Sequence, residues 1–389
     1  MPQLIQAKSR LSRKIGTTSA AVRSEKHNET SAYLREQIIT YIGNKRSLLP
    51  FIGKGLNLVK RSLGRDKLRV LDLFAGTGVV SRFMKQHASC VIANDLETYS
   101  NVTNNCYLTN KSSVQAREMR RAIRHLQDQI IAKTEPGFIT ELYAPEDDGH
   151  ITKNERAFYT RRNAIYLDTA RKAIDELPKK LQPLFLGPLI AEASIHTNTS
   201  GVFKGFYKSK KGVGQFGGQG QNALSRILSP IKLRAPVLSN FECDRKIYQQ
   251  DANTLVDHLK EVDVAYLDPP YNQHPYGSNY FMLNLLCDYK PPQDISAVSG
   301  IPVDWNRSKY NQRQHSEDAL FQVIENCNAK FIMISYNSEG FITPDRFLDR
   351  LGALGKVTTL ETPYNTFRGS RNLRQRAIHV TEFLYLLKK

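Results

Sequence analysis

Acidic residues are missing from one long stretch of this 389-residue chain, which has no Asp or Glu from Ala193 to Phe241. Cysteine is sparse too. The five (Cys90, Cys106, Cys243, Cys287, Cys327) are odd in number and show neither CxxC nor Cys/His ligand spacing, which argues against a disulfide framework and a structural zinc. No run of 18 apolar residues occurs, and the first residues lack the apolar core of a signal peptide. The expectation is a cytoplasmic protein with reduced thiols, no membrane partner and no metal.

Positive charge is what the chain has in excess. A net charge of +18 points to a polyanionic partner, because excess cations attract phosphate and speed encounter. The acid-free stretch carries Lys204, Lys208, Lys210, Lys211, Arg226, Lys232 and Arg234, with seven glycines between Gly201 and Gly220. Phe203, Phe206, Tyr207 and Phe216 are interleaved with them. Glycines permit close backbone approach, cations meet phosphates, and aromatic rings can stack on or wedge between bases, so nucleic-acid contact is expected. The competing reading is a solvated surface loop. Near the end, Arg368, Arg371, Arg374 and Arg376 form a second basic run, a candidate phosphate clamp. Residues 1–30 read as a polar, basic tail, with a phosphate-touching arm as the sharper alternative.

Hydrophobic spacing organises the rest. Apolar residues at helical intervals predict a helix over 46–63. Val70–Phe74 and Val91–Asp95 read as buried strands joined through a glycine turn and a short helix, one right-handed crossover unit of an open α/β sheet. Strand character resumes only at 246–250, 262–267 and 331–336, and 356–363 and 377–387 suggest a closing antiparallel pair. The predicted organisation is a tail (1–30), a first catalytic part (31–99), a mostly helical insertion (100–240) and a second catalytic part (241–389).

Two motifs carry chemistry. Asp72-Leu73-Phe74-Ala75-Gly76-Thr77-Gly78 ends one strand and opens a helix, and Gly76 and Gly78 let the backbone turn tightly against a ligand. It lacks both the three-glycine dinucleotide pattern and a Gly-Lys-Ser/Thr phosphate loop. Asp95, 23 residues after Asp72, is placed to hold a ribose hydroxyl pair. Together they fit S-adenosyl-L-methionine, a cationic sulfonium cofactor, better than a pyrophosphate. Asp251 is a candidate for the cofactor's adenine amino group, or a helix cap. The second motif is Asp268-Pro269-Pro270-Tyr271, directly after a strand. Two prolines remove two backbone donors and fix two φ angles, so the chain leaves the sheet in a rigid extended turn. A carboxylate, free carbonyls and an aromatic face held in that relation suit an exocyclic amine on a flat ring, hence methylation of a nucleobase amino group. Cytosine-C5 methylation, which needs a cysteine nucleophile usually after proline, is disfavoured because no Pro-Cys pair occurs.

In that order the motifs resemble the D12 (alpha) class of DNA adenine-N6 methyltransferases. The matching segments are Tyr41-Ile42-Gly43-Asn44-Lys45, the loop from Asp72, Asp95, the insertion, and Asp268 to Tyr271. Asn279 to Asn284, Ser335-Tyr336-Asn337 and Phe367 to Asn372 extend the similarity. The Gly-Asn-Lys-Arg and Phe-Arg-Gly-Ser-Arg segments are similar to modification methylases that accompany type IIS restriction enzymes. The resemblance implies a Rossmann-like sheet with helices on both faces and an inserted target-recognition domain. It also implies double-stranded DNA as substrate, Tyr41 and Lys45 beside the cofactor, a flipped-out adenine at Asp268–Tyr271, and a separate cognate endonuclease. The alternatives are methylation of cytosine N4 or of an RNA base, or a non-catalytic DNA-binding protein on the same fold.

Overall fold

A computed structural model describes residues 28–221, 223–365 and 379–389. The basic run at Arg368, Arg371, Arg374 and Arg376 and most of the N-terminal tail lie outside the described residues.

Among the described residues seven strands form one sheet: β1 (Leu68–Asp72), β2 (Ala88–Asp95), β3 (Asp244–Gln249), β4 (Val262–Leu267), β5 (Ala329–Asn337), β6 (Lys356–Asn365) and β7 (His379–Lys388). Their order is β3-β2-β1-β4-β5-β7-β6, all parallel but β7, which is antiparallel to both β5 and β6. The central strands are buried along their length because helices cover both faces, as parallel sheets require.

Strand alternation sorts the core. Val70, Val91, Met333, Leu384 and Leu386 point to one face, where α2 (Leu49–Leu63) and α3 (Val79–Lys85) pack. Leu71, Ile92, Ile332, Tyr385 and Leu387 point to the other, against α10 (Ala252–Val256), α13 (Ser316–Asn326) and α14 (Pro344–Gly352). The helix predicted from residue 46 begins as a 3-10 turn, Lys45–Leu48, before α2 proper, which carries Pro50 in its first turn and ends on Gly64 at φ +61°.

A third core lies at one side of the sheet. It joins α1 (Ser31–Arg35), α4 (Thr98–Tyr107), α5 (Ala116–Ala132), α6 (Phe138–Tyr143), α7 (Arg161–Asp175) and α8 (Gln182–Ile195). Helix α12 (Phe281–Asp288), which follows the Asp-Pro-Pro-Tyr turn, contributes Phe281, Met282, Leu283 and Leu286 to it. Residues 100–240 therefore share one apolar core with the catalytic segments on either side, and the expected boundary at 99/100 falls inside α4. No named strand occurs between β2 and β3 among the described residues.

Phe203 and Phe206 are buried in this third core, packed on Phe158. They anchor the glycine-rich segment rather than offering rings to bases, which corrects the stacking role expected for them. Burial of their apolar area outweighs exposure on a loop whose glycines contribute none.

Candidate active site

The strand order dictates where the site lies. β1 sits between β2 and β4, at the point where chain direction across the sheet reverses, and ligands bind at the carboxyl ends of strands there. Asp95 ends β2, Asp72 ends β1, and Asp268 follows β4 directly. Register places Asp72 beside Ala93 on one side and Tyr266 on the other. All three acids line one cleft of about 910 Å³, its open mouth included.

On the β1–β2 side the turn is held from within. Asp95 accepts hydrogen bonds from Gly76 N at 2.7 Å and Glu97 N at 3.0 Å. Gly76 and Gly78 have φ of +50° and +73°, and a Cβ on Gly78 would stand 2.8 Å from Asn104 Oδ1. Asp72 Oδ2 accepts from Ser81 Oγ at 2.6 Å, whereas its buried Oδ1 has no partner. Burial raises the Asp72 pKa to about 7 and also raises that of Asp95. Phe74 meets Tyr310 edge-on, with centroids 4.9 Å apart, and both line the cleft. Asp251 lines it too, while its Oδ1 caps α10 through Asn253 N and Thr254 N. An orphaned carboxylate oxygen for a cation, an acid beside a glycine turn for hydroxyls, and an aromatic wall for a flat ring fit S-adenosylmethionine.

On the β4 side, Lys45 Nζ lies 3.2 Å from Asp268 Oδ1 and 3.4 Å from Glu382 Oε2, and 5.6 Å from the Tyr271 ring centre. The Lys45 side chain is 5% exposed and Asp268 18%. Burial pushes the Asp268 pKa to about 6 even though the Lys45 ammonium pulls it down. The neighbouring carboxylates hold the Lys45 pKa well above its ordinary value against the opposing effect of burial. Pro270 lines the cleft, and Pro269 before it is buried. Tyr271 packs edge-on to Tyr336, centroids 5.4 Å apart, and its carbonyl accepts from Phe341 N.

Tyr41 connects the two sides. Its ring stacks on both Tyr276 and Tyr280, at 4.9 and 4.5 Å, and its hydroxyl meets Tyr99 Oη at 2.9 Å. Tyr276 belongs to α11 (Tyr276–Asn279), and Tyr280 Oη accepts from Ile42 N at 2.7 Å, which fixes the turn leading to Lys45.

Two acids of the site were not singled out from sequence. Glu97 is buried, lines the cleft, and has its pKa raised to about 7 by burial. Glu382 interrupts an apolar strand in phase with Leu384 and Leu386, and an inward-facing acid in such a pattern was the available signal.

The glycine-rich segment reaches the same end of the sheet. Phe203 N donates to Asn279 O at 2.7 Å, and burial, followed by the Lys204 charge, lowers the His274 pKa beside the Asp-Pro-Pro-Tyr turn. Residues 208–214 form a tight hairpin in which Ser209 N donates to Val213 O, leaving Lys210 and Lys211 exposed at its tip. Lys208 Nζ lies over the Phe206 ring at 4.9 Å. Arg226, on α9 (Leu224–Leu228), instead donates to Thr197 O and Thr199 O within its own fold. Among the described residues no cluster of three His, Cys, Asp or Glu could hold a metal, and no helix is long and apolar enough to cross a membrane.

This sheet order, with β7 antiparallel between β5 and β6 and Asp-Pro-Pro-Tyr after β4, defines a Rossmann-like methyltransferase. The sequence model of the D12 class N6 adenine-specific DNA methyltransferases matches residues 41–348, and the chain belongs to that family. It is an adenine-specific DNA methyltransferase, an enzyme of a kind whose methyl donor is generally S-adenosylmethionine. The type II methyltransferase M.NlaIII of Neisseria lactamica is 28% identical over 90% of this chain and 99% of its own length. M.CviAII of Paramecium bursaria Chlorella virus 1 is 27% identical over 85% of this chain and 93% of its own. M.FokI of Planomicrobium okeanokoites is 25% identical over 90% of this chain, which spans 52% of that longer protein.

Proposed function

We propose that this enzyme is the modification arm of a restriction-modification system, methylating N6 of an adenine flipped out of double-stranded DNA, with a separate endonuclease cutting the same site. The observation that carries the chemical part is the convergence of Asp72, Asp95 and Asp268 on one cleft, the last on a rigid Pro-Pro turn. The system-level part rests on the likeness to type II methyltransferases.

Asp95 takes the ribose hydroxyls, Asp72 the cationic end of the amino acid portion, and Phe74 with Asp251 the adenine of S-adenosylmethionine, while Tyr41 and Lys45 close the site. When bound, the cofactor supplies an electrophilic methyl on a sulfonium. Adenine N6 is a weak nucleophile because its lone pair is delocalised into the ring. Asp268 and the Pro269 carbonyl accept the two amino hydrogens, which favours a pyramidal nitrogen with its lone pair directed at the methyl. Positioning and preorganised acceptors supply the rate. The amino nitrogen that takes the methyl would carry one surplus proton, and the Asp268 carboxylate is placed to accept it. A base in a duplex cannot reach this cleft, so it is extruded and stacked on Tyr271. Lys204, Lys208, Lys210 and Lys211 meet phosphates around it. Arg226, Arg368 and Arg371 belong to the same proposed DNA contact set, Arg226 by fixing the segment that bears the lysines.

The test is incubation with labelled S-adenosylmethionine and methyl-free genomic DNA, followed by nucleoside analysis. Label in N6-methyldeoxyadenosine is expected. Label in N4-methyldeoxycytidine, or only in RNA run in parallel, overturns the target assignment.

A further inference from the structure

Glu382 is fully buried on β7, and the only partner of its carboxylate among the described residues is Lys45 Nζ. An acid in an apolar strand is a poor stabiliser, since a buried ion pair seldom outperforms the apolar residues that could replace it. Its placement is nevertheless determined by the fold. β7 runs antiparallel to β5, so Glu382, early in β7, pairs with Asn337 at the carboxyl end of β5 and reaches the edge of the sheet where Asp268 emerges. The Lys45 ammonium is thus shared between two carboxylates, one facing the cleft and one behind it.

We propose that Glu382 is a positioning residue for methyl transfer, which shares the Lys45 ammonium with Asp268 and so leaves that carboxylate a stronger acceptor for the amino hydrogens of the target base than it would be if it paired with the ammonium alone. The role rests on the methyltransferase reading of the cleft given above. Without Glu382 the ammonium would be satisfied by Asp268 alone, and a fully paired carboxylate both accepts and binds a proton less readily. The groups facing Asp268 are Lys45 from the 3-10 turn, Glu382 from β7, Asp72 from β1, Tyr266 from β4, and Tyr271 and Tyr276 beyond the turn. Of the charged ones, Glu382 raises the Asp268 pKa and Lys45 lowers it.

The experiment is the single-turnover rate of methyl transfer in the preformed complex of enzyme, S-adenosylmethionine and cognate DNA, measured from pH 5 to 8. Glu382→Gln keeps the shape and removes the charge. Its acid limb is expected to move to lower pH by about one unit or less, with a reduced plateau rate and an unchanged cofactor Kd. In a Lys45→Gln background the same change is expected to add nothing, because Glu382 acts through Lys45. A profile superimposable on wild type, or an equal loss in both backgrounds, overturns the proposal and leaves Glu382 a part of the β7 scaffold. Wild-type enzyme that makes no N6-methyladenine in this assay would instead overturn the reading of the cleft, so the two failures are distinct.

Discussion

Asn284 clasps the corner where β2 passes into α4: its Nδ2 donates to Glu97 Oε2 at 2.5 Å while its Oδ1 accepts from Tyr99 N at 3.1 Å. Asn306 Nδ2 donates to the same Glu97 oxygen at 3.1 Å. A helix that follows the Asp-Pro-Pro-Tyr turn is thereby tied to an acid that lines the cleft. Replacing Asn284 with Leu leaves Glu97 one donor, and unfolding free energy should fall by about 1–3 kcal/mol. The Glu97 pKa is raised from 4.5 to about 7, so its folded form keeps a proton that the unfolded chain releases, and stability is lost as pH rises through that interval. Weakening support of the ionised form extends the loss upward, so urea unfolding should show a larger deficit at pH 8 than at pH 6. An equal deficit at both would remove Glu97 from the explanation.

Asp72 titrates near neutrality for the same reason, with a pKa of about 7 in the free protein. If its unpartnered oxygen receives the cationic part of the cofactor, affinity should climb between pH 6 and 8 as the carboxylate ionises. Calorimetric titration with S-adenosylmethionine checks this. Asp72→Asn should bind about ten- to a hundredfold more weakly at pH 8 and lose the pH dependence. A flat wild-type profile would assign the cation elsewhere.

Removing Asp268 should separate binding from chemistry. Asp268→Ala is expected to slow single-turnover transfer by roughly two to three orders of magnitude or more while cofactor affinity stays near wild type. Lost cofactor binding would make Asp268 structural. Tyr271→Phe should keep most of the rate and Tyr271→Ala should lose roughly 1–3 kcal/mol of base stacking. Equal loss in both would sink the stacking role.

The exposed lysines of the glycine-rich segment make a prediction about salt. Lys204→Ala, Lys210→Ala and Lys211→Ala combined should weaken DNA binding and flatten the dependence of log K on log salt by about 0.9 for each phosphate contact removed. Anisotropy titrations at several salt concentrations read this directly, and an unchanged slope would place the phosphates elsewhere.

Much of the fold was legible because its strands advertise themselves. Val70–Leu71 and Val264–Leu267 are short apolar runs ended by Asp72 and Asp268, the mark of strands buried on both faces. Of the candidate site, Asp72, Asp95, Asp251 and Asp268 were placed by sequence at strand ends or just past them, and these are the positions at which the sheet gathers them into one cleft. What could not be read were contacts between distant segments. Glu382 is meaningful only because β7 inserts antiparallel beside β5, and Glu97 only because Asn284 and Asn306 converge on it from elsewhere in the chain. Composition misled in the glycine-rich segment, where aromatic content suggested base contact although Phe203 and Phe206 turn inward. Arg226 likewise looked free in a run of cations and is engaged by two backbone carbonyls.

The insertion of β7 between β5 and β6 has a temporal consequence. Lys45 and Glu382 are 337 residues apart, and the strand bearing Glu382 is the last to join the sheet in chain order. Synthesis from the amino end supplies the glycine turn and the cleft acids early, yet the charge cluster stays incomplete until β7 is laid between its two neighbours. Every residue that lines the cleft, from Tyr41 to Asn311, is therefore synthesised before the strand that brings Glu382 to Lys45.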